Sequence, residues 1–177
     1  YGTGTDKDGT GVSLAWDNGT LDLDSTLTIA ANGTLSAPRG ILDCVGNFTD
    51  DSGTYTHNSG TFNFTAAAPV NLAGASNTTF YNLTSTATSA SPVQMNNVSK
   101  TVIKRLDLIN SDSYFDLYDS SGTTTLTIGD SDTQGTIDGG TAGNFRCRGS
   151  DTNHVKIYGG DQLKPAIITG GDPNWDT

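Results

Sequence analysis

The sequence predicts an all-β protein, and three observations lead to this fold class. Hydrophobic residues make up only 33% of the 177 residues, while Gly alone contributes 22. Short runs alternate Thr or Asn with an aliphatic or aromatic residue, which places the apolar side chains on one face of a strand. All 19 acidic residues are Asp, which favours turns and caps over helix interiors. A thin, layered β core therefore fits this chain better than a thick globular one.

An elongated β-solenoid is the architecture that this pattern favours, with stacked rows of Leu, Ile, Val and Phe as its core. A β-sandwich is the second choice, since it needs about seven strands of regular length and this chain offers many shorter ones. Residues 1–11 hold almost nothing apolar, so they are predicted to be a flexible or inter-subunit lead-in. Residues 12–177 are predicted to form a single solenoid domain.

Strand-like segments follow one another along this domain, separated by turns rich in Gly, Asp and Ser. Before the centre, the apolar positions are Val12, Leu14, Trp16, Leu21, Leu23, Leu27, Ile29 and Ile41. The central stretch, Gly46 to Thr84, alternates Thr or Asn with Phe, Tyr and Leu. After it, the apolar positions are Val93, Met95, Val102, Ile103, Leu106, Leu108, Phe115, Leu117, Leu126, Ile128, Ile137, Phe145, Cys147, Val155, Ile157, Ile167 and Ile168. This spacing predicts many short strands.

Asn-x-Ser/Thr tripeptides recur through the first half of the chain at near-constant intervals. They begin at Asn18, Asn32, Asn47, Asn63, Asn77, Asn82 and Asn97. Apart from the short step between Asn77 and Asn82, each tripeptide follows the one before it at nearly the same distance along the chain. A near-constant step indicates stacked, similar units, each of them either a short coil or half of a longer coil.

Three segments carry a resemblance to known proteins. Residues 47–49, 53–61 and 78–84 resemble repeat regions of large surface and fibre proteins, including secreted bacterial adhesin-like proteins and phage and archaeal sequences. The resemblance is tight over residues 18–84 and looser beyond. It implies a right-handed parallel β-solenoid that serves as a stalk, a fibre or an adhesive surface. Because the shared motif marks strands and turns, it implies a shape more securely than an activity.

Charge and composition narrow the function further. The net charge of −10 argues against nucleic acid as a partner, because phosphate binding needs clustered Lys and Arg. The nine basic residues are scattered, and only Lys104-Arg105 and Arg146/Arg148 are close pairs. No apolar run approaches the roughly 18–20 residues of a membrane span. We therefore expect an extracellular, non-enzymatic protein that forms a subunit or segment of a fibre, filament or adhesive stalk.

The expected partner is another copy of this chain, with surface glycans as a further candidate. Trp16-Asp17 recurs as Trp175-Asp176, so the end of one unit resembles the beginning of the next. A solenoid has two open ends, and neither terminal segment shows the pattern of a polar cap. The sequence therefore predicts a head-to-tail homopolymer or a slice of a longer tandem chain.

Candidate sites of modification follow from the asparagines and cysteines. In an exported glycoprotein, the sugar acceptors would be Asn18, Asn32, Asn47, Asn63, Asn77, Asn82 and Asn97. The alternative role for them is a hydrogen-bonded ladder of stacked Asn side chains. Cys44 and Cys147 are free, bridged within the chain or bridged between subunits.

No cofactor and no metal site are expected from the sequence. Asp6-x-Asp8-Gly9 resembles the opening of a calcium loop, but the distal Glu ligand is missing because the chain contains no Glu. Ca²⁺ therefore stays an unspecified candidate.

The alternative function is a carbohydrate-binding or carbohydrate-active β-helix, such as a phage tail fibre or spike. Glycoside hydrolysis needs two carboxylates that flank the sugar bond. Asp151 and Asp161 are the best pair, and Arg146 and His154 lie close to them in sequence. These four residues would line one face of the solenoid if the coils stack. A charged patch on a fibre is the simpler interpretation of the same residues.

Overall fold

A computed structural model describes residues 18–86, 92–109, 114–118, 123–139, 144–148, 154–159 and 167–169. Within these residues every regular element is a β-strand, and no helix occurs. Every pairing between two strands is parallel. The prediction of an all-β solenoid is confirmed. The proposed lead-in at residues 1–11 and the two Trp-Asp pairs lie outside the described residues.

Seventeen short strands make up the described fold. They are β1 (Thr20–Leu23), β2 (Leu27–Ile29), β3 (Thr34–Ser36), β4 (Ile41–Cys44), β5 (Phe48–Asp50), β6 (Thr54–Thr56), β7 (Thr61–Phe64), β8 (Val70–Ala73), β9 (Thr78–Ser85), β10 (Val93–Asn96), β11 (Ser99–Leu108), β12 (Tyr114–Tyr118), β13 (Thr123–Ile128), β14 (Thr136–Asp138), β15 (Asn144–Arg148), β16 (His154–Gly159) and β17 (Ile167–Thr169).

The strands stack on three faces of the solenoid. The first face contains β1, β4, β7, the second half of β9, the second half of β11, β14 and β17. The second face is the sheet β2-β5-β8-β10-β12-β15. The third face begins with β3 and β6 and continues through the first halves of β9 and β11 to β13 and β16. Since β9 and β11 run through the corner between the third and first faces, nine strands belong to one sheet.

The coil length can be read along the first face. Seven positions follow one another in register: Thr20, Ile41, Thr61, Asn82, Arg105, Thr136 and Ile167. The first four coils are therefore similar in length, and the last two are about half as long again. The interval between the tripeptides is thus neither one coil nor half of one. Its members fall on different parts of the coil, because Asn63 and Asn82 lie in strands whereas Asn32 and Asn97 occupy turns with positive φ.

The interior consists of side-chain columns that run along the solenoid axis. On the first face the inward column is Leu42, Phe62, Leu83, Leu106 and Ile137, and each of these side chains is buried. An aromatic cluster of Phe48, Tyr55, Phe62, Phe64 and Phe80 fills the middle coils, with ring centroids 4.9 to 6.4 Å apart. The stacked Leu, Ile, Val and Phe rows expected from the alternation are therefore present.

The corner between the third face and the next first-face strand varies in length from coil to coil. Residues 57–60 separate β6 from β7. Tyr81 alone separates the two paired halves of β9, and Ile103 and Lys104 separate those of β11. Residues 129–135 follow β13 before β14 begins. We call this the variable corner. The variable corner is shortest at β9 and β11 and longer in the coils on either side.

Candidate functional site

A polar groove lies where the variable corner is shortest. It has a volume of about 310 Å³ and is lined by Thr61, Asn82, Thr84, Lys104, Arg105 and Asp107. These residues belong to β7, β9 and β11, three neighbouring strands of the first face. The short corners of β9 and β11 and the longer ones beside them explain why the surface is concave here.

A β-bulge in β11 determines which side chains reach the groove. The pairing of β11 with β9 is regular up to Val102, opposite Phe80, and resumes at Arg105, opposite Asn82. β11 thus has one residue more than β9 at this corner. Such bulges redirect side chains and break the in–out alternation. As a result, Lys104 and Arg105 are both exposed although they are adjacent in sequence.

Arg105 is anchored by two carboxylates, one from its own strand and one from the next coil. Its Nη2 lies 2.6 Å from Asp138 Oδ2 and 3.2 Å from Asp107 Oδ2, and its side chain is 48% exposed. The pKa of the Asp107 carboxyl is raised overall. Burial is the main cause, Arg105 opposes it, and the nearby Asp138 adds to it. The guanidinium therefore holds two otherwise repelling carboxylates together, and its own charge is largely balanced.

Lys104 is held differently, by an aromatic ring. Its Nζ lies 5.7 Å from the centroid of the Tyr81 ring, within the range of a cation–π contact. On the adjoining coil, His57 stacks on Tyr81 with ring centroids 5.7 Å apart and an interplanar angle of 23°. Burial lowers the pKa of His57, which keeps this imidazole neutral near pH 7. Lys104 is exposed and forms no ion pair within the described part of the chain.

A second polar cluster lies in the interior. Lys100 and Asp50 are 0% and 2% exposed. Thr78 donates from Oγ1 to Asp50 Oδ2 at 2.9 Å, and the Lys100 Nζ lies 3.4 Å from the same Oγ1. Asp50 Oδ1 also accepts the Gly53 N–H at 2.9 Å. The cluster joins three coils through these contacts.

The glycosylation candidates differ in accessibility. Asn18, Asn32, Asn77 and Asn97 are exposed, whereas Asn47, Asn63 and Asn82 are half-buried. Asn63 donates from Nδ2 to Asp43 Oδ1 at 2.7 Å, and its Oδ1 is buried with no partner among the described residues. Asn82 donates from Nδ2 to Thr61 Oγ1 at 3.4 Å.

The seven asparagines form no continuous ladder, because Asn63 shares its column with Asp43 and Thr84 while Asn82 follows Thr61.

The two cysteines are far apart in the solenoid. Cys44 is a free, buried thiol that donates to the carbonyl oxygens of Ser25 and Gly46, each at 3.4 Å, and burial raises its pKa. Cys147 lies on β15, four strand pairings beyond β5, which follows Cys44 in the chain. Four spacings amount to about 19 Å, whereas a disulfide needs Cα atoms within roughly 7 Å. The backbone positions of Cys44 and Cys147 are therefore too far apart for a disulfide within one chain.

The alternative carbohydrate patch is only partly described. Arg146 lies on β15 in the second face, opposite Asp116, and His154 lies on β16 in the third face, opposite Thr123. Asp151 and Asp161 lie outside the described residues. Within the described ranges, no three His, Cys or Asp side chains come together as a metal site. The described chain also holds no helix long and apolar enough to cross a bilayer.

The groove was not among the sites predicted from sequence, although one of its signals was visible. Lys104-Arg105 stood out as one of two close pairs of basic residues. What the sequence did not reveal was the bulge that exposes both side chains, or the coil length that places Asp138 beside Arg105. No family model matches this chain, and no curated protein or solved structure is significantly similar to it.

Proposed function

We propose that this chain is a structural segment of an extracellular fibre, filament or adhesive stalk, without enzymatic activity, whose units stack end to end. The observation that carries the proposal is the unbroken parallel register of seven first-face positions. A coil in such a stack offers its backbone edge and its apolar cross-section to the next coil. The same geometry that adds a coil within the chain can therefore add a coil from another copy.

The first described coil supports this proposal. Strands β1, β2 and β3 are terminal strands in their sheets among the described residues. Leu21 belongs to the same inward column as the fully buried Leu42, yet it is 38% exposed. Leu23, Leu27 and Leu35 of the same coil are also only partly buried. An apolar strand edge of this kind is a template for pairing with a further strand.

The extracellular location rests on the surface chemistry of the chain. Most outward positions of the first face carry Thr, Asn or Asp, as in Thr20, Asp22, Thr61 and Asn63. Together with a net charge of −10, this surface keeps a long assembly soluble and prevents its lateral association.

Electron microscopy of the purified chain tests the assembly. We expect thin filaments, with an axial repeat of about 30–35 Å for the described coils. Leu21→Lys places a charge in the inward column at the first described strand and should abolish the filaments. Thr20→Lys adds the same charge at the adjacent outward position and should leave them intact. Circular dichroism of both variants checks that the fold is retained. A compact monomer of the unmodified chain at high concentration would contradict the proposal.

A carbohydrate-active β-helix remains the alternative from another class of function. It requires two carboxylates across a sugar bond, the role that the sequence gives to Asp151 and Asp161. Assay of the purified chain for turnover of acidic polysaccharides decides between the two. Measurable turnover, lost in Asp151→Asn or Asp161→Asn, would replace the structural proposal.

A further inference from the structure

The groove on the first face has the chemistry of a ligand site that a purely structural segment does not need. Three of its features arise at the variable corner of β9 and β11. The short variable corner makes it concave, the bulge in β11 turns Lys104 and Arg105 outward together, and Tyr81 holds Lys104 in place. A volume of about 310 Å³ is at the lower limit of small-molecule sites. Such a volume suits one or two sugar rings.

The charges of the groove define the ligand. Arg105 is already bonded to Asp107 and Asp138, whereas Lys104 has no ion pair within the described residues. One cation is therefore left for a ligand, and two carboxylates stand close to it. A phosphate group, with its higher negative charge, would be repelled by those carboxylates. A single carboxylate on the ligand matches the single available ammonium.

The remaining lining residues match hydroxyl groups. Asn82, Thr61 and Thr84 present an amide and two hydroxyls, which both donate and accept hydrogen bonds. Asp107 offers carboxylate oxygens that accept from hydroxyl groups. These groups are arranged on strands stacked at about 4.8 Å, so they form a regular array along the groove. A polyhydroxylated ring fits this array better than a bare anion or an apolar molecule does.

We propose that this groove binds an acidic saccharide, a sugar unit with one carboxylate, which Lys104 neutralises and which Asn82, Thr61, Thr84 and Asp107 hold through its hydroxyls. Tyr81 is a positioning residue, because it acts through the Lys104 ammonium. The site differs from the Arg146, Asp151, His154 and Asp161 patch. It stands independently of the proposed assembly, since all of its lining residues come from one chain.

Calorimetric titration of the full chain with three probes tests the proposal. The probes are oligosaccharides of glucuronate, neutral glucose oligosaccharides of the same length, and inorganic phosphate. We expect only the glucuronate oligosaccharides to bind. Lys104→Gln should weaken that binding about tenfold or more, since a charge-assisted hydrogen bond is lost. Arg39→Gln, which removes an exposed charge elsewhere, should leave it unchanged.

Substitutions at Tyr81 separate positioning from direct contact. Tyr81→Phe keeps the ring and should bind normally, while Tyr81→Ala should weaken binding in the way that Lys104→Gln does. Equal binding of neutral and acidic oligosaccharides, competition by phosphate at similar concentration, or no binding of the glucuronate probe would each overturn the proposal. Repeating the titration on the Leu21→Lys variant separates binding from filament formation, so that either can fail alone.

Discussion

Lys100 directs its Nζ to the carbonyl oxygen of Ser76 at 2.5 Å, although its side chain is completely buried. It occupies an inward position on the third face, in register with Thr78 on one side and Leu126 on the other. A core position of the solenoid is thus filled by a lysine. The Ser76 carbonyl, the Thr78 hydroxyl and the nearby Asp50 carboxylate stabilise the charge of its ammonium group. Such buried charges are sensitive to pH and to the loss of a partner.

The first prediction concerns the pH dependence of stability. Burial lowers the pKa of Lys100 to about 8 from 10.5, and Asp50 and Asp51 partly oppose this. Between these two values the unfolded chain binds more protons than the folded one, so stability should rise with pH across this window. The slope has a maximum of about 1.4 kcal/mol per pH unit. Lys100→Met should lose this rise.

Urea unfolding at pH 7, 8.5 and 9.5 measures the effect as a difference between the two proteins. Tyr55, whose pKa burial raises, destabilises the fold at still higher pH. Because Tyr55 is present in both proteins, its contribution cancels. Parallel pH curves for the unmodified chain and Lys100→Met would refute a buried, titrating lysine.

The second prediction concerns the Thr78 hydroxyl. Thr78→Val removes the donor to Asp50 Oδ2 and leaves this buried carboxylate with the Gly53 N–H. We expect a loss of about 1–3 kcal/mol in the free energy of unfolding. Thr79→Val is the matched control, because Thr79 lies next in the same strand and is only half-buried. Equal losses from the two substitutions would show that the hydroxyl has no special role.

The third prediction concerns the aromatic cluster. Phe62 packs edge-on against Phe48 and Phe80 at 5.2 and 5.4 Å between ring centroids. Phe62→Ala should reduce the free energy of unfolding by about 3–5 kcal/mol, since the cavity cannot close within the stacked coils. Ile41→Ala truncates a side chain that is 41% exposed and should have a much smaller effect. Thermal unfolding followed by circular dichroism compares the two.

The fourth prediction concerns glycosylation in native material. Sugar should occur on the exposed Asn18, Asn32, Asn77 or Asn97 and be absent from Asn63, whose amide bonds to Asp43. The intact mass would then exceed the 18.4 kDa of the chain. Peptide mapping before and after removal of N-linked sugar identifies the occupied residues. An unmodified mass from the natural source would rule glycosylation out. Sugar on Asn82 would block the polar groove that this residue lines.

Much of the fold could be predicted from short-range pattern. The alternation in Thr61-Phe62-Asn63-Phe64 and in Leu106-Asp107-Leu108 marks inward and outward positions, and the structure buries the apolar members. The length of the coil could not be predicted from the Asn-x-Ser/Thr interval, because that interval matches neither one coil nor half of one. Gly40 and Gly60 carry the better signal, since each precedes a first-face strand. A Cβ at either would lie 2.3 Å from a backbone oxygen of the preceding coil.

The groove and the interior cluster depend on contacts between distant parts of the chain. Arg105 meets Asp138 only because the long coil between them ends with β14 aligned beside β11. Lys100 is tolerable in the core only because Ser76, Thr78 and Asp50 arrive from other coils. Neither the bulge in β11 nor these contacts between coils correspond to a local sequence motif. They could therefore not be predicted from the sequence alone.

The unequal coils show that the number of residues in a coil and the axial rise per coil are independent. The short coil from Ile41 to Thr61 and the long coil from Thr136 to Ile167 each advance the stack by one strand, or about 4.8 Å. The long coil therefore contains more residues for the same axial rise. Mass per unit length should differ by about half between the parts of the solenoid with short and with long coils. Such a solenoid can gain residues within a coil during evolution while its axial spacing stays the same.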